Sequence, residues 1–213
     1  MALSTCQLAD ALIRLGVRSG GYLADINRFS GKRVSGPAYT VQFVSADDTD
    51  APKLSNHFVD TAPPGHIIVI DAPPHTRNAV WGGLMTAGAQ ARGALGVVIS
   101  GRCRDLDEHR AAEFPVFARG HSIVGQSPFT RPSAINVSLL IRDPGEQVTF
   151  PPTQVAPGDW IVADGDGVVC VPKELKTQVE ELAIKLGQID ERCMEDIQAG
   201  KGVQASFLKH RGK

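Results

Sequence analysis

Hydrophobic residues recur with helical spacing near both ends of the chain, and this pattern predicts two helices. Apolar positions three and four residues apart predict a helix over residues 5–15, capped by Ser4 or Thr5 and ended by Gly16. The longest such pattern predicts a helix over about residues 173–199 and consists of Leu175, Val179, Leu182, Leu186, Ile189, Cys193 and Ile197. Its apolar stripe can pack on a sheet or on a neighbouring subunit, and we favour packing in the core.

Continuous apolar runs between these helices predict strands. The run at residues 66–71 is apolar on both faces, which is typical of a central strand covered on both sides. β-Branched and aromatic residues predict further strands at 36–44, 96–100, 116–118, 137–141 and 160–172, and a short helix is predicted at 54–59. Because the sequence contains no internal repeat or low-complexity tract, we expect one α/β domain over residues 1–213.

A third helix is predicted between the strands at 66–71 and 96–100, starting near Gly83 and stopped by Gly93. A strand–helix–strand unit of this kind places its two strands parallel. A helix of about ten residues rises about 15 Å, and a strand of about five residues returns about 17 Å. The start of the helix and the residues after the second strand, Arg104 and Asp105, should therefore meet at one end of the sheet, where open α/β folds bind ligands.

Composition and charge exclude several classes of protein. With 22 Lys and Arg against 23 Asp and Glu, the net charge is −1 and no basic stripe is present, so we expect no nucleic-acid partner. No apolar run approaches the roughly 18 residues of a membrane span, and the N-terminus lacks a signal-peptide core. We therefore expect no membrane partner and a soluble, cytoplasmic protein. The four cysteines form no C-x-x-C pair, which argues against a zinc knuckle or a disulfide framework.

Candidate chemistry is concentrated at the start of the third helix and after the strand that follows it. Backbone amides in the first turn of a helix lack helical acceptors, so those of Gly82, Gly83, Leu84 and Met85 could bind an anion. Arg104 offers a planar fork for a carboxylate, and Asp105 and Glu108 offer the oxygen donors that Mg²⁺ or Mn²⁺ prefers. These groups suit a small oxo-acid that chelates a metal. The spacing alone also allows a surface Arg–Asp ion pair and an ordinary Gly–Gly turn, which are the commoner cases.

The segment at residues 79–108 resembles the family of regulator of ribonuclease activity A-like proteins and 4-hydroxy-4-methyl-2-oxoglutarate/4-carboxy-4-hydroxy-2-oxoadipate aldolases. The resemblance covers nearly the whole chain and includes the opening helix, the strand Gly-Pro-Ala-Tyr-Thr-Val from Gly36, and the segments at 114–120 and 155–169. Its most specific part is Gly83, twenty intervening residues, Arg104-Asp105, two residues and Glu108. This pattern is similar to that of family members with Gly where typical bacterial aldolases place an Asp.

The resemblance implies roles for these residues. Arg104 would bind the carboxylate of a pyruvyl group, Asp105 would hold the metal partly through water, and the amides of residues 82–85 would cradle the pyruvyl group. Position 83 lacks the carboxylate of the aldolases, and Glu108 is its substitute, so Asp105 and Glu108 are the expected metal ligands. The family also draws on acidic residues of an adjacent subunit.

Four further residues are weaker candidates. Asp164 and Asp166 lie in a Gly-punctuated strand, where a tight turn is the commoner reading of such residues. Arg102 and Arg119 could bind a second carboxylate of the substrate, but surface or structural pairing explains them equally well.

The fold implied by the resemblance is an α-β-β-α sandwich with a β-barrel-like sheet, assembled as a homotrimer or hexamer. The implied activity is that of a divalent-metal-dependent class II aldolase that uses Mg²⁺ or Mn²⁺. It would cleave 4-hydroxy-4-methyl-2-oxoglutarate, or a related 4-hydroxy-2-oxo acid, to pyruvate and a second oxo-acid, and would also decarboxylate oxaloacetate. A metal-bound water would carry the proton, because no histidine is obviously placed as a base.

Two other functions are open to such a sequence. The first is a non-catalytic regulator that binds a ribonuclease or helicase partner; the intact Arg–Asp motif makes it the less favoured of the two. The second is a menaquinone methyltransferase, an old label for sequences of this kind. That activity needs a glycine-rich S-adenosylmethionine loop after the first strand, and the sequence contains none.

Overall fold

The computed structural model describes residues 2–143, 145 and 150–212. The helices of this part of the chain are α1 (Thr5–Arg14), α2 (Gly83–Ala91), α3 (Leu106–Ala111), α4 (Lys176–Gln198) and α5 (Val203–Arg211). Its strands are β1 (Asn27–Ser30), β2 (Val34–Ser45), β3 (Ile67–Asp71), β4 (Gly96–Cys103), β5 (Val116–His121), β6 (Thr130–Ile135), β7 (Leu139–Ile141), β8 (Thr153–Val155), β9 (Trp160–Ala163) and β10 (Val168–Val171).

The long strand β2 curls the main sheet, because its two halves pair with different neighbours. The sheet has the order β1-β5-β4-β3-β2-β9-β10, and β6 also pairs with β2. Residues 38–42 of β2 run parallel to β3, whereas residues 34–37 pair antiparallel with β9. The separate β7–β8 hairpin lies on the inside of the curl, where Leu139, Ile141 and Val155 join the same buried cluster as Ile67 and Val69.

Helices cover the outside of this half-barrel in two groups. On one side, α2 and α3 lie over the parallel strands, where Trp81, Ile70 and Ile99 belong to one buried cluster. On the other side, α1 and α4 pack on β9 and β10 through Leu12, Val169 and other apolar residues. The predicted α/β fold with a barrel-like sheet is confirmed, and the sheet is a curled half-barrel.

The unit β3–α2–β4 forms as predicted, with β3 and β4 parallel from Ile67 opposite Gly96 to Asp71 opposite Ser100. Strand β4 also runs parallel to β5, so the carboxyl ends of three strands share one edge of the sheet. Helix α1 begins with the predicted cap, since Ser4 and Gln7 form a reciprocal capping box. Residues 173–175 form a 3-10 turn that leads into α4, in agreement with the predicted helix at 173–199.

Several element predictions are wrong or incomplete. Residues 54–59 form turns instead of a helix, although Phe58 and Val59 are buried as their apolar character requires. The predicted strand at 160–172 is a hairpin, because the turn between Asp164 and Gly167 separates β9 from β10. The pattern also missed α5 and the short strands β1, β6 and β8. No helix in the described ranges is long and apolar enough to cross a membrane.

Candidate active site

The start of α2 is capped by a residue that is distant in sequence. Gly82 occupies the N-cap position in an extended conformation, and a glycine offers no side chain to bond the first amides. Asp105 supplies the missing acceptor, since its Oδ2 atom lies 3.0 Å from the amide nitrogen of Gly83. Asp105 itself has a left-handed backbone (φ 61°), a conformation that Asp tolerates better than most residues, and it directly precedes α3. The structure therefore brings Gly83 and Asp105 together.

Glu108 fills the space in which a side chain at position 83 would lie. A Cβ atom built on Gly83 would be 1.5 Å from Oε2 of Glu108 and 2.6 Å from its Cδ atom. Such distances are far inside van der Waals contact, so the carboxylate of Glu108 occupies the place where a side chain on residue 83 would begin. One turn of α3 is enough to place Glu108 there, because it follows Asp105 by three residues.

Arg104 lies beside Gly82, where a built Cβ atom would be 3.2 Å from its Nε atom. Its Nε atom is 3.4 Å from Oδ2 of Asp105, and the two side chains are 45% and 32% exposed. Its guanidinium also lies against Gly125, where a Cβ atom would be 2.8 Å from Nη1. The Nη groups of Arg104 donate to no residue that the structure describes. The guanidinium is therefore accessible to a ligand.

A cavity of about 170 Å³ opens between these residues and a loop that the sequence did not associate with the site. It is lined by His57, Ala79, Val80, Trp81, Gly82, Leu84, Met85, Arg104, Asp105 and Gln126. His57 stacks on Phe58, and its Nδ1 atom accepts a 3.3 Å hydrogen bond from the amide of Val59. The sequence prediction missed His57 and Gln126, because both lie in irregular segments whose proximity to the site depends on tertiary packing.

The expectation that all four first-turn amides are unbonded is wrong for two of them. The amide of Gly83 donates to Asp105, and the amide of Met85 donates to the carbonyl of Gly82 at 3.0 Å. The amides of Gly82 and Leu84 donate to no acceptor in the described part of the chain. The anion cradle therefore consists of two amides, and Leu84 places its own side chain in solvent, 81% exposed.

A buried hydrogen-bond chain fixes the two helix starts relative to each other. The indole Nε1 of Trp81 donates to the hydroxyl of Thr86 at 2.9 Å, and that hydroxyl also lies 2.9 Å from Nδ1 of His109. All three residues are at most 2% exposed. Burial lowers the pKa of His109, although the Arg104 carbonyl and the carboxylates of Asp105 and Glu108 act in the opposite direction. Thr86 on α2 is thus bonded to His109 on α3, behind the carboxylates of the site.

The weaker candidates lie elsewhere. Asp164 accepts hydrogen bonds from the amide and hydroxyl of Thr5, at 2.9 and 2.8 Å, and so ties α1 to the β9–β10 turn. Burial would raise its pKa, but these bonds and one from the amide of Asp166 lower it. Asp164 and Asp166 thus belong to a tight turn, which is the more common role of such residues. Arg102 and Arg119 line a different cavity from Arg104.

Comparison of this sequence with known proteins identifies a matching family and several named relatives. The family described as "RraA-like: Aldolase/RraA" matches residues 5–170. A Halalkalibacterium halodurans protein named "Putative 4-hydroxy-4-methyl-2-oxoglutarate aldolase" is 35% identical over 163 residues, which are 76% of this chain and 70% of the relative. The Legionella pneumophila protein DlpA is 28% identical over 94% of this chain, but the match spans only 31% of DlpA.

Two solved structures share the fold. An uncharacterized protein from Pseudomonas syringae pv. tomato is 32% identical, with a TM-score of 0.78, over 96% of this chain and 92% of that protein. Streptomyces coelicolor RraAS2, described as an unusual member of the RNase ES inhibitor RraA protein family, is 26% identical, with a TM-score of 0.75, over 89% and 91% of the two chains. Because the family match covers most of the sequence and the fold agrees, this chain belongs to the RraA-like family.

Proposed function

We propose that this chain is a divalent-metal-dependent lyase that breaks a carbon–carbon bond in a small oxo-acid and releases pyruvate. The observation that carries the proposal is the carboxylate of Glu108, which occupies the side-chain position that Gly83 leaves empty. Together with Asp105 and Arg104, it places two carboxylates and a guanidinium at the start of α2. The name of the Halalkalibacterium relative supports the same activity.

The two carboxylates fit a magnesium or manganese ion. Mg²⁺ in proteins commonly keeps several waters and takes one or two carboxylates, and Asp105 and Glu108 offer that number. No group of three or more His, Cys, Asp or Glu side chains comes together in the described part of the chain, so water would have to complete the coordination of an ion held by these two carboxylates. We therefore propose that Asp105 and Glu108 hold Mg²⁺ or Mn²⁺. When bound, the ion would supply Lewis acidity that polarises a keto oxygen.

Arg104 and the unbonded amides are proposed to bind the substrate. Arg104 is half-exposed and can offer two parallel N–H groups to a carboxylate. The amides of Gly82 and Leu84 lie at the positive end of the α2 dipole, where they favour a negatively charged oxygen. These donors are fixed before the reaction, so they stabilise the enolate charge that develops when the carbon–carbon bond breaks.

His57 is proposed to move the proton that the 4-hydroxyl group loses when the carbon–carbon bond breaks and that the enolate carbon gains when pyruvate forms. Its Nδ1 atom faces the amide of Val59, which leaves Nε2 as the ring nitrogen for the substrate. Histidine is the commonest general acid and base in enzymes, and His57 lines the same cavity as Arg104 and Asp105. This role replaces the expectation from the sequence that only a water is available for the proton.

The proposed substrates are 4-hydroxy-4-methyl-2-oxoglutarate or a related 4-hydroxy-2-oxo acid, which would yield pyruvate and a second oxo-acid. Oxaloacetate gives the same pyruvate enolate when it loses CO₂. An enzyme that stabilises this enolate should therefore also decarboxylate oxaloacetate, without any change in the residues involved.

The test is the release of pyruvate from both substrates, measured with lactate dehydrogenase and NADH in Mg²⁺, Mn²⁺ or EDTA. Asp105→Asn removes one charge but keeps an acceptor for the Gly83 amide and a residue that tolerates a left-handed backbone. Asp107→Asn, which alters an exposed ion pair with Arg110, is the matched control. We expect EDTA and Asp105→Asn to abolish pyruvate release and Asp107→Asn to preserve it. Activity that survives EDTA or Asp105→Asn would overturn the proposal.

A second candidate function is that of a regulator that binds a ribonuclease or helicase. The similarity to Streptomyces RraAS2 supports it, as does the exposure of Leu84 (81%) and Ile123 (93%). A regulator of this kind should retain its partner in the Asp105→Asn variant, whereas a lyase should lose its activity. If a ribonuclease co-purifies with the wild-type chain and with Asp105→Asn, and neither releases pyruvate, the regulator is favoured.

We also propose that the chain forms a homotrimer or hexamer. Exposed apolar side chains such as Leu84 and Ile123 are costly in water and can be covered by a second copy of the chain. Light scattering after size-exclusion chromatography should give a mass of three or six chains. A mass of one chain at micromolar concentration would contradict the proposal.

A further inference from the structure

A second cavity opens at the carboxyl edge of the parallel strands, apart from the one that holds Arg104 and Asp105. Its volume is about 270 Å³, close to the lower end of the range for small-molecule sites, about 300 Å³. It is lined by the loop at residues 72–77, the end of β4, Arg119 of β5, and Asp25. The edge of a sheet beyond the carboxyl ends of parallel strands is the usual place for a ligand in α/β folds.

The walls of this cavity carry an excess of positive charge. Arg77, Arg102 and Arg119 line it, whereas Asp25 is the one lining carboxylate among the residues that the structure describes. Asp71 lies behind the wall, where its Oδ1 atom accepts a 2.8 Å hydrogen bond from Ser100. Burial raises the pKa of Asp71, whereas hydrogen bonds from Ser100 and Gln42 and the charges of Arg119 and Arg142 lower it.

Two of the three guanidinium groups, those of Arg102 and Arg119, are held by backbone carbonyls, and Arg77 bonds no residue in the described ranges. Arg102 donates from Nε to the carbonyl of Thr76 at 3.3 Å and from Nη1 to the carbonyl of His121 at 3.0 Å. Arg119 donates to the carbonyl of Arg142. Burial lowers its pKa, and the charges of Asp71, Asp25 and Asp143 act in the opposite direction. Within the described ranges, no carboxylate lies within the 4.0 Å of an ion pair from Arg77, Arg102 or Arg119. Carbonyl groups orient Arg102 and Arg119, and the carboxylates that act on Arg119 do so from beyond ion-pair distance.

We propose that this cavity is a binding site for a small oxyanion, a carboxylate or a phosphate group, that is separate from the proposed lyase site. Guanidinium groups in a fixed orientation bind both kinds of anion through paired, charge-assisted hydrogen bonds. Because Arg102 and Arg104 line different cavities, Arg102 and Arg119 do not serve the substrate bound at Arg104. The inference does not depend on the lyase activity, because it rests on the charges of another cavity.

The experiment is isothermal titration calorimetry of the full chain with inorganic phosphate and, separately, with malonate, at constant ionic strength. Arg77→Gln is the main variant, because Arg77 is exposed and bonds no described residue, so its loss should not affect folding. Arg119→Gln is the second variant. Arg92→Gln, which removes an exposed charge at the end of α2, controls for net charge, and Arg104→Gln reports binding at the other cavity.

We expect at least one of the two anions to bind the wild-type chain and the stronger of them to identify the ligand class. Its affinity should fall roughly tenfold in Arg77→Gln and in Arg119→Gln, since each loses charge-assisted hydrogen bonds. Arg92→Gln should bind as the wild type does. Arg104→Gln should keep the part of the binding that Arg77→Gln loses, because that part belongs to the other cavity. The proposal is overturned if neither anion binds at millimolar concentration. It is equally overturned if Arg92→Gln weakens binding as much as Arg77→Gln, or if only Arg104→Gln weakens it.

Discussion

Replacing Gly83 by alanine tests the role of Glu108 with a single methyl group. The new Cβ atom would lie 1.5 Å from Oε2 of Glu108, so the carboxylate must leave its position at the start of α2. Glu108 is exposed and flexible, and it can move into solvent without disturbing the core. The substitution therefore removes the carboxylate from the site while Glu108 remains in the sequence.

The structure predicts that Gly83→Ala has a small effect on stability and a large effect on activity. Gly83 begins α2, and alanine in place of glycine in a helix adds up to about 1 kcal/mol of stability. Displacement of an exposed side chain costs a few tenths of a kcal/mol, so the free energy of unfolding should change by less than about 1 kcal/mol. Pyruvate release should fall about 10- to 100-fold, the usual cost of losing a group that supports a metal site.

A double variant tests whether the position of the carboxylate is what matters. Gly83→Asp combined with Glu108→Ala places an acidic group in the same space from α2 instead of α3, and it should recover most of the activity that Gly83→Ala loses. Gly88→Ala in the same helix, where the new Cβ atom contacts only Val59, is the control. The measurements are lactate dehydrogenase-coupled kinetics and urea unfolding. Full activity in Gly83→Ala, or a double variant no better than Gly83→Ala, would refute the role of Glu108.

Three further predictions concern the surroundings of the site. Thr86→Val leaves the buried Trp81 Nε1 and His109 Nδ1 atoms without their partner. The free energy of unfolding, measured in urea, should therefore fall by about 2–4 kcal/mol, and a fall of less than about 0.5 kcal/mol would contradict this network. Burial lowers the pKa of His109 in the folded protein. An unfolded histidine has a pKa of about 6.5, so below that pH protons bind the unfolded chain more readily and the free energy of unfolding declines. Unfolding in urea between pH 7.5 and 5.5 should show this decline, and His109→Gln should reduce it; equal slopes in both proteins would exclude His109 as its source. His57→Asn should lower kcat about 100-fold with little change in KM, and an unchanged kcat would remove His57 from the proton transfer.

The strand–helix–strand unit could be predicted because each of its parts has a strong local cause. Residues 67–70 are fully buried apolar residues, and glycines mark both ends of the helix that follows. The parallel direction of β3 and β4 then follows from connectivity alone. That geometry was enough to place Arg104 and Asp105 beside the start of α2.

The missed elements depend on pairing between distant residues. Strand β6 contains Arg131 and Pro132, which do not favour a strand locally. It pairs with β2 because β9 covers only residues 34–37 of that edge and leaves the rest of it open. The segment at 54–59 has apolar residues at helical spacing, but its turns bury Phe58 and Val59 just as well. Tertiary burial, which a local pattern does not contain, decided both cases.

The candidate site was predictable in its residues but not in their partners. The sequence indicated Asp105 and the amides of α2 separately, and it gave no reason to expect that Asp105 caps the helix through Gly83. The left-handed backbone at Asp105 makes this cap possible, and such a conformation cannot be read from one aspartate. The sequence left Arg102 and Arg119 open between a second substrate carboxylate and structural pairing, and the fold places them in a different cavity from Arg104.

Binding of Mn²⁺, followed by electron paramagnetic resonance, tests most directly whether Asp105 holds a divalent cation next to Arg104. The wild-type chain should bind about one Mn²⁺ more tightly in the presence of oxalate, a two-carboxylate chelator that resembles the pyruvate enolate. Asp105→Asn should weaken this binding about tenfold or more, and Asp107→Asn should leave it unchanged. If Asp105→Asn binds Mn²⁺ and oxalate as tightly as the wild type does, the cation is not held at this site and the proposed lyase mechanism is wrong.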